Sequence, residues 1–261
     1  MELSLFMVKR KISWKLKFAI VLIIATILIY TGNFYIFHDS EEIFSYVMMH
    51  LGFIPIDILI VALVIDDILA RKEREVILEK LDMLLSVFFS EIGDNLLSNF
   101  TKINQDKNII YKYLKDIENW EDSDFESAMD AIKSKGVKFT PEISVKDQGV
   151  FLNEIQTLLV DKRNFIVNLL ENPNLMEKDN FSELLLATLH LDEELKHRND
   201  LNDLTTTDFN HLIGDMNRIY TNLMYEYVYY ILYLKHNYPY MISIALRTNP
   251  FDMDADIHVK E

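Results

Sequence analysis

Apolar residues fill two long stretches near the start of the chain and afterwards recur at helical spacing. The first stretch covers residues 18–37 and the second covers residues 47–65. An α-helix of about twenty apolar residues, at about 1.5 Å each, matches the ~30 Å hydrocarbon core of a bilayer. The pattern therefore predicts a transmembrane hairpin, with helices at 18–37 and 47–65 joined by a short acidic connector.

Beyond the hairpin, apolar positions three and four residues apart predict amphipathic helices. Only six glycines and five prolines occur in 261 residues, which also favours helices over turn-rich β-structure. Weaker helices are predicted at 107–118 and 122–134, a loop at 136–149, and a turn at 172–174. Polar residues at 198–207 indicate another connection, with Thr206 or Thr207 capping the next helix. The three clearest stripes contain Leu78, Leu81, Leu85, Phe88, Ile92 and Leu96; Phe151, Ile155, Leu159 and Ile166; and Leu212, Met216, Ile219, Leu223 and Tyr227.

These patterns predict an all-α protein with two parts. Residues 1–68 form a basic N-terminal segment and the transmembrane hairpin, and residues 69–261 form a cytoplasmic helical bundle. Basic residues flank the hairpin on both sides, whereas the connector carries no Lys or Arg. Because basic residues favour the cytoplasmic side, we expect a multi-pass protein of the cell membrane with both termini inside. The basic residues are Lys9, Arg10, Lys11, Lys15, Lys17, Arg71, Lys72 and Arg74, and the connector offers His38, Asp39, Glu41 and Glu42.

The net charge of −15 argues against nucleic acid as a partner, because phosphates would be repelled. The chain has no cysteine, which excludes disulfides, thiolate metal sites and a cysteine nucleophile. No phosphate-binding loop, serine elbow or zinc-protease motif is present. The sequence therefore predicts no catalytic residue and no cofactor. The expected partners are the lipid bilayer, further copies of the chain and an unidentified protein.

Asp57 places a carboxylate near the middle of the second apolar stretch. Such a group costs about 2.5–3.5 kcal/mol on insertion scales, so it normally faces protein or water. His50 lies two turns earlier on the same face, and Pro55 frees a backbone carbonyl nearby. The pair could organise contact between neighbouring hairpins, or form a proton or ion path within an oligomer.

Two carboxylate–histidine pairs suggest a metal site near the 198–207 connection. Glu194 and His197 stand three residues apart, as do Asp208 and His211. Di-iron helical bundles use Glu-x-x-His on two helices to direct both side chains at one metal. His190 and Asp215 extend the same two faces by another turn. However, His190, Glu194 and His197 fall almost opposite the apolar residues of their helix, which favours a solvated ion-pair network as the alternative.

Several phrases of the chain resemble a family of uncharacterised prokaryotic membrane proteins. The resemblance covers nearly everything after the first helix, and it implies a membrane protein to which no catalytic residue can be carried over. The phrases are residues 52–57 (GFIPID), 88–93 (FFSEIG), 170–175 (LENPNL), 190–195 (HLDEEL), 238–240 (YPY) and 247–252 (RTNPFD).

The last of these phrases predicts a tail that docks onto the bundle. In this hypothesis Phe251 is buried and Arg247 pairs with a carboxylate such as Asp215 or Glu194.

The sequence as a whole favours a non-enzymatic scaffold, sensor or interaction module at the inner face of the membrane. Two alternatives remain. One is a membrane-tethered di-metal enzyme using Glu194, His197, Asp208 and His211. The other is an oligomeric ion or proton pathway lined by Asp57.

Overall fold

A computed structural model describes residues 14–37, 40–252 and 255–258. The chain divides into two compact units, Met1–Arg71 and Lys72–Glu261. Within the described residues the secondary structure is helical and contains no β-strand, which confirms the all-α class. The basic residues Lys9, Arg10 and Lys11 and the connector residues His38 and Asp39 lie outside the described residues.

The first unit contains helix α1 (Trp14–Phe37) and the start of α2 (Ser40–Phe88). The second helix begins at Ser40 rather than at residue 47, so Glu41 and Glu42 lie in its first turn. Carboxylates are favoured there, because they face the positive end of the helix dipole. The helix also runs through Pro55 without interruption.

In the described part of the chain, one helical stretch is long and apolar enough to cross a membrane. It runs from Glu41 to Ile103, and its most apolar 18-residue window has a mean hydropathy of 2.3 and no buried residue. The apolar part of α1, Ile20–Ile36, falls short of this length. Two membrane-spanning helices were predicted, and among the described residues the second alone is long and apolar enough to cross a membrane.

The second unit is built from the end of α2 and seven further helices. A π-helical turn, Phe89–Gly93, connects α2 to α3, and single 3₁₀ turns lie at Ile117–Asn119 and Leu175–Glu177. The helices are α3 (Asp94–Ile103), α4 (Lys107–Leu114), α5 (Asp122–Lys135), α6 (Val145–Leu170), α7 (Asp179–Lys196), α8 (Thr206–Asn237) and α9 (Pro239–Arg247).

Helix α8 is the central helix of this unit. It packs against α3, α5, α7 and α9, while α6 packs against α7. Its aromatic side chains Tyr220 and Tyr227 are fully buried. The tyrosine-rich sequence of α8 therefore forms core, and the placement of α7 and α6 around it fixes the surroundings of the candidate site.

The π-helical turn brings two consecutive aromatic residues into the core. The Phe88 ring packs edge-on against Phe181, and the Phe89 ring stacks on Tyr230 with 4.8 Å between centroids. Gly93 closes the turn where a Cβ atom would lie 2.6 Å from Cδ1 of Phe89. Only a residue without a side chain fits this close approach.

Three local predictions differ from the structure. Helix α6 begins at Val145, inside the predicted loop at 136–149, because Ser144 adopts the extended conformation of a helix cap and accepts Asp147 and Gln148 N–H groups through its carbonyl. The cap of α8 is Thr205 rather than Thr206 or Thr207, and its side chain accepts a hydrogen bond from the Asp208 amide. Helix α9 was not predicted, since its nine residues are too few to display a clear period.

Candidate functional site

Four titratable side chains converge between α7 and α8. His190 and Glu194 lie one turn apart on α7, and His211 and Asp215 lie one turn apart on α8. His190 Nε2 is 3.6 Å from Asp215 Oδ2 and 3.9 Å from Glu194 Oε1. His211 Nε2 is 3.7 Å from Asp215 Oδ2 and 3.6 Å from Glu194 Oε2. Each imidazole thus faces both carboxylates. We refer to these four residues as the His–carboxylate cluster.

The cluster is buried at its base and open at its mouth. The Asp215 side chain is 10% exposed, and its Oδ2 atom is buried without a hydrogen-bond partner. The imidazoles of His190 and His211 are about half exposed. A carboxylate oxygen is therefore directed into a site that solvent can reach from one side.

Arg198 fixes the position of Glu194 from outside the cluster. Its Nη1 donates a hydrogen bond to Glu194 Oε2 at 2.8 Å, while Nε and Nη2 each donate to one of the two Asp208 carboxylate oxygens. These hydrogen bonds hold the pKa of both carboxylates below the usual range. Glu194 is consequently ionised and oriented at neutral pH.

The structure brings together Glu194 and His211 of the four predicted metal ligands. His197 and Asp208 lie outside the cluster. His197 follows the end of α7, its imidazole is 77% exposed, and its Nδ1 lies 2.8 Å from the Glu193 carbonyl oxygen. Both carboxylate oxygens of Asp208 accept hydrogen bonds from Arg198.

The two other members of the cluster, His190 and Asp215, come from the residues one turn further along each helix. The signal in the sequence is a spacing of four residues on both helices, His-x-x-x-Glu and His-x-x-x-Asp, in place of the spacing of three. Residues four apart share one helix face.

The connection between α7 and α8 is fastened to α6. Gly149 lies so close to Asn202 that a Cβ atom would meet the Asn202 Cα at 2.7 Å. Gln156 Nε2 donates to the carbonyl of Leu195 at 3.0 Å, and Leu201 is buried. Helix α6 therefore supports the two helices that carry the cluster.

A second group of buried charges lies elsewhere in this unit. Lys178 Nζ is 2.5 Å from Asp82 Oδ1 and 3.9 Å from Glu226 Oε2, and it sits 3.9 Å from the centre of the Tyr229 ring. The Tyr229 hydroxyl donates to the other Asp82 oxygen at 3.0 Å. One ammonium group thus faces two carboxylates, and both Glu226 oxygens are buried without hydrogen bonds.

Asp57 and His50 lie on the exposed surface of α2. Neither side chain forms a hydrogen bond or ion pair with another described residue.

Of the two predicted tail residues, Phe251 is buried as expected, whereas Arg247 does not form the expected ion pair. Phe251 is 1% exposed, and its ring packs edge-on against Tyr227 at 5.1 Å. The predicted pairing of Arg247 with Asp215 or Glu194 is absent, and its Nε is buried without a hydrogen bond. The tail packs beside Tyr227, which is about 18 Å along α8 from Asp215 at ~1.5 Å per residue.

Comparison with known proteins identifies relatives along most of the chain. The family model described as the C-terminal helical domain of uncharacterized protein MJ1433 matches residues 77–247, and that of the MJ1433 N-terminal helical domain matches residues 9–69. The uncharacterized protein MJ1433 of Methanocaldococcus jannaschii is 38% identical over 234 residues, which cover 90% of this chain and 92% of the relative. No solved structure matches the chain.

Proposed function

The chain belongs to the MJ1433 family, and we propose that it is an integral membrane protein serving as a non-enzymatic scaffold, sensor or interaction module. The observation that carries this proposal is the first part of α2, where an 18-residue apolar window has no buried residue.

Exposed apolar surface on this scale favours a lipid environment. Burying apolar area contributes about 25 cal/mol per Å², and soluble monomers rarely expose contiguous apolar patches beyond a few hundred Å². Side chains such as Phe53, Ile58 and Leu63 are each at least half exposed along α2. A bilayer would cover these side chains, and the helix satisfies its own backbone groups apart from the carbonyl that Pro55 frees.

We further propose that α1 crosses the membrane beside α2, which makes the protein multi-pass. Its exposed apolar stretch Ile20–Ile36 has a similar character although it is shorter. Glu41 and Glu42 begin α2, and Arg71, Lys72 and Arg74 follow its apolar part. By the positive-inside rule, this distribution supports a cytoplasmic position for both termini and the second unit.

Asp57 supports a homo-oligomeric arrangement in the membrane. An exposed carboxylate at bilayer depth is stabilised when it hydrogen-bonds to a neighbouring helix. In this proposal His50 and Asp57 organise contact between copies of the chain, and the second unit offers its acidic surface to a protein partner.

Membrane fractionation of cells that express the full chain tests the proposal. We expect the protein to stay in the pellet after carbonate washing and to require detergent for extraction. Recovery in the carbonate supernatant would exclude an integral membrane protein, whatever the roles of the second unit.

Single introduced cysteines test the topology, because the natural chain has none. We expect an impermeant maleimide added to intact cells to label Ser40→Cys and to spare Ser134→Cys, an exposed position on α5. Both should react after the cells are lysed. Labelling of Ser134→Cys in intact cells would reverse the proposed orientation.

A further inference from the structure

We propose that the His–carboxylate cluster binds one divalent first-row transition-metal ion, with Zn²⁺ as the ion that its ligand set fits best. The ligands are His190 and Glu194 from α7 and His211 and Asp215 from α8. This inference concerns the second unit alone and does not depend on membrane insertion.

Four distances between ligand atoms are close to those of a tetrahedral site, with a different Glu194 oxygen facing each imidazole. Nitrogen and oxygen ligands about 2.1 Å from a tetrahedral Zn²⁺ lie about 3.4 Å from each other. The four distances between imidazole nitrogens and carboxylate oxygens span 3.6–3.9 Å. Ligand atoms of Glu194, His211 and Asp215 all lie within 4.8 Å of one another. Small rotations of these three side chains would bring their atoms to bonding distance, and His190 faces the same Asp215 oxygen at 3.6 Å.

Asp215 gives an independent reason to expect a cation. Its Oδ2 atom is buried, has no hydrogen-bond partner and lies 3.6 Å and 3.7 Å from the two imidazole Nε2 atoms. A buried acceptor without a partner costs about 1–3 kcal/mol, and more when it is charged. A metal ion between the two imidazoles would satisfy this oxygen directly.

The charges around the cluster also favour a cation. Three carboxylates, those of Glu194, Asp215 and the adjoining Asp208, face two guanidinium groups, those of Arg198 and Arg218. Arg218 reaches Asp215 only at 4.0 Å. The site therefore carries a net negative charge when its histidines are neutral, the form in which imidazole binds metal.

Arg198 acts as an outer-shell positioning residue for this ion. It already holds Glu194 at 2.8 Å and is anchored in turn by Asp208. Such partners orient a ligand before the metal arrives. Mixed imidazole and carboxylate ligands suit Zn²⁺, Fe²⁺, Mn²⁺ and related ions, and the four groups supply the ligands of a single ion.

The test is a titration of the full-length protein in detergent, freed of any affinity tag and stripped with a chelator. Zn²⁺ is added in competition with a chromogenic chelator, and the thermal unfolding midpoint is measured with and without the ion. We expect one Zn²⁺ per chain and a higher midpoint in its presence. His190→Gln and His211→Gln should each weaken binding at least about 10-fold, as even outer-shell changes do.

His197→Gln is the matched control, since this histidine lies on the same end of α7 but outside the cluster. It should bind Zn²⁺ like the natural chain. Both ligand histidines are about half exposed, so their replacement leaves the core intact, and two variants on separate helices guard against misfolding of one. Absence of saturable binding, or binding that both ligand variants leave unchanged, would overturn the proposal and identify the cluster as an ion-pair network.

Discussion

Glu226 is enclosed in the second unit with too few partners for its charge. It is 1% exposed, and Lys178, the nearest cation, lies closer to Asp82 than to Glu226. Burial raises the pKa of the Glu226 carboxyl from 4.5 to about 7, against the opposing effect of Lys178. The folded protein therefore holds a proton on Glu226 at pH values where the unfolded chain has released it.

This raised pKa predicts a stability that falls as the pH rises. Its contribution is fully present below pH 4.5 and is lost as the pH passes through about 7. The loss amounts to roughly 3 kcal/mol, at about 1.4 kcal/mol per pKa unit. Glu226→Gln, which cannot ionise, should flatten the decline in the free energy of unfolding measured by denaturant titration between pH 5 and pH 8.

Asp94 adds a decline in the same direction, because burial also raises its pKa to about 7. The Glu226→Gln curve should therefore be flatter than that of the natural chain, but not level. Glu126→Gln, at an exposed position of α5, is the control and should follow the natural curve. A Glu226→Gln profile parallel to the natural one would show that Glu226 is ionised in the folded protein.

At the scale of single elements, the π-helical turn depends on Gly93. Gly93→Ala would place a Cβ atom 2.6 Å from Cδ1 of the buried Phe89 ring, which stacks on Tyr230. Overpacking of this kind typically costs about 1–3 kcal/mol. We expect the free energy of unfolding to fall by this amount in denaturant titration.

Gly214→Ala is the opposite case and serves as the comparison. Gly214 lies inside α8 with no atom within 4 Å of its added Cβ. Alanine is favoured over glycine in helices by about 1 kcal/mol, so this variant should be more stable than the natural chain. Equal effects of the two substitutions would contradict the role assigned to the turn.

Sequence patterns specified the long helices of the second unit better than they specified its site. The stripes that end α2 and form α6 and α8 were evident because large apolar residues recur every three or four positions. Glu194 and His211 were recognised for their residue types. Their true companions, His190 and Asp215, depend on how α7 is rotated and shifted against α8.

That register is set by tertiary contacts which no local pattern encodes. Arg198 donates hydrogen bonds to both Glu194 and Asp208, and because it holds the Asp208 carboxylate, Asp208 does not join the cluster. Likewise, the burial of Phe251 was anticipated, whereas the position of Arg247 depends on where α9 packs along α8.

At the scale of the whole molecule, the proposed oligomer makes a prediction for Asp57. Asp57→Asn keeps a hydrogen-bonding side chain, whereas Asp57→Leu removes it. With about 1 kcal/mol for each hydrogen bond between membrane helices, the leucine variant should dissociate more readily and the asparagine variant should resemble the natural chain. Native mass measurements over a range of detergent dilutions would detect the difference.

Ile58→Ala is the control for this comparison, because it trims a neighbouring exposed side chain of the same helix. It should leave the mass distribution unchanged. An Asp57→Leu protein with undiminished assembly would remove Asp57 from the interface.

The close approach of Gly149 to Asn202 has a consequence for how this family can diverge. Surface connections usually tolerate added or lost residues during evolution. The segment between α7 and α8 contacts Gly149 of α6 at the Asn202 backbone. The Leu195 carbonyl, near the end of α7, accepts a hydrogen bond from Gln156 of α6. A change in the length of this segment would slide one helix past the other and separate each histidine from the carboxylate on the opposite helix. We therefore expect relatives that keep the His–carboxylate cluster to keep the length of this connection as well.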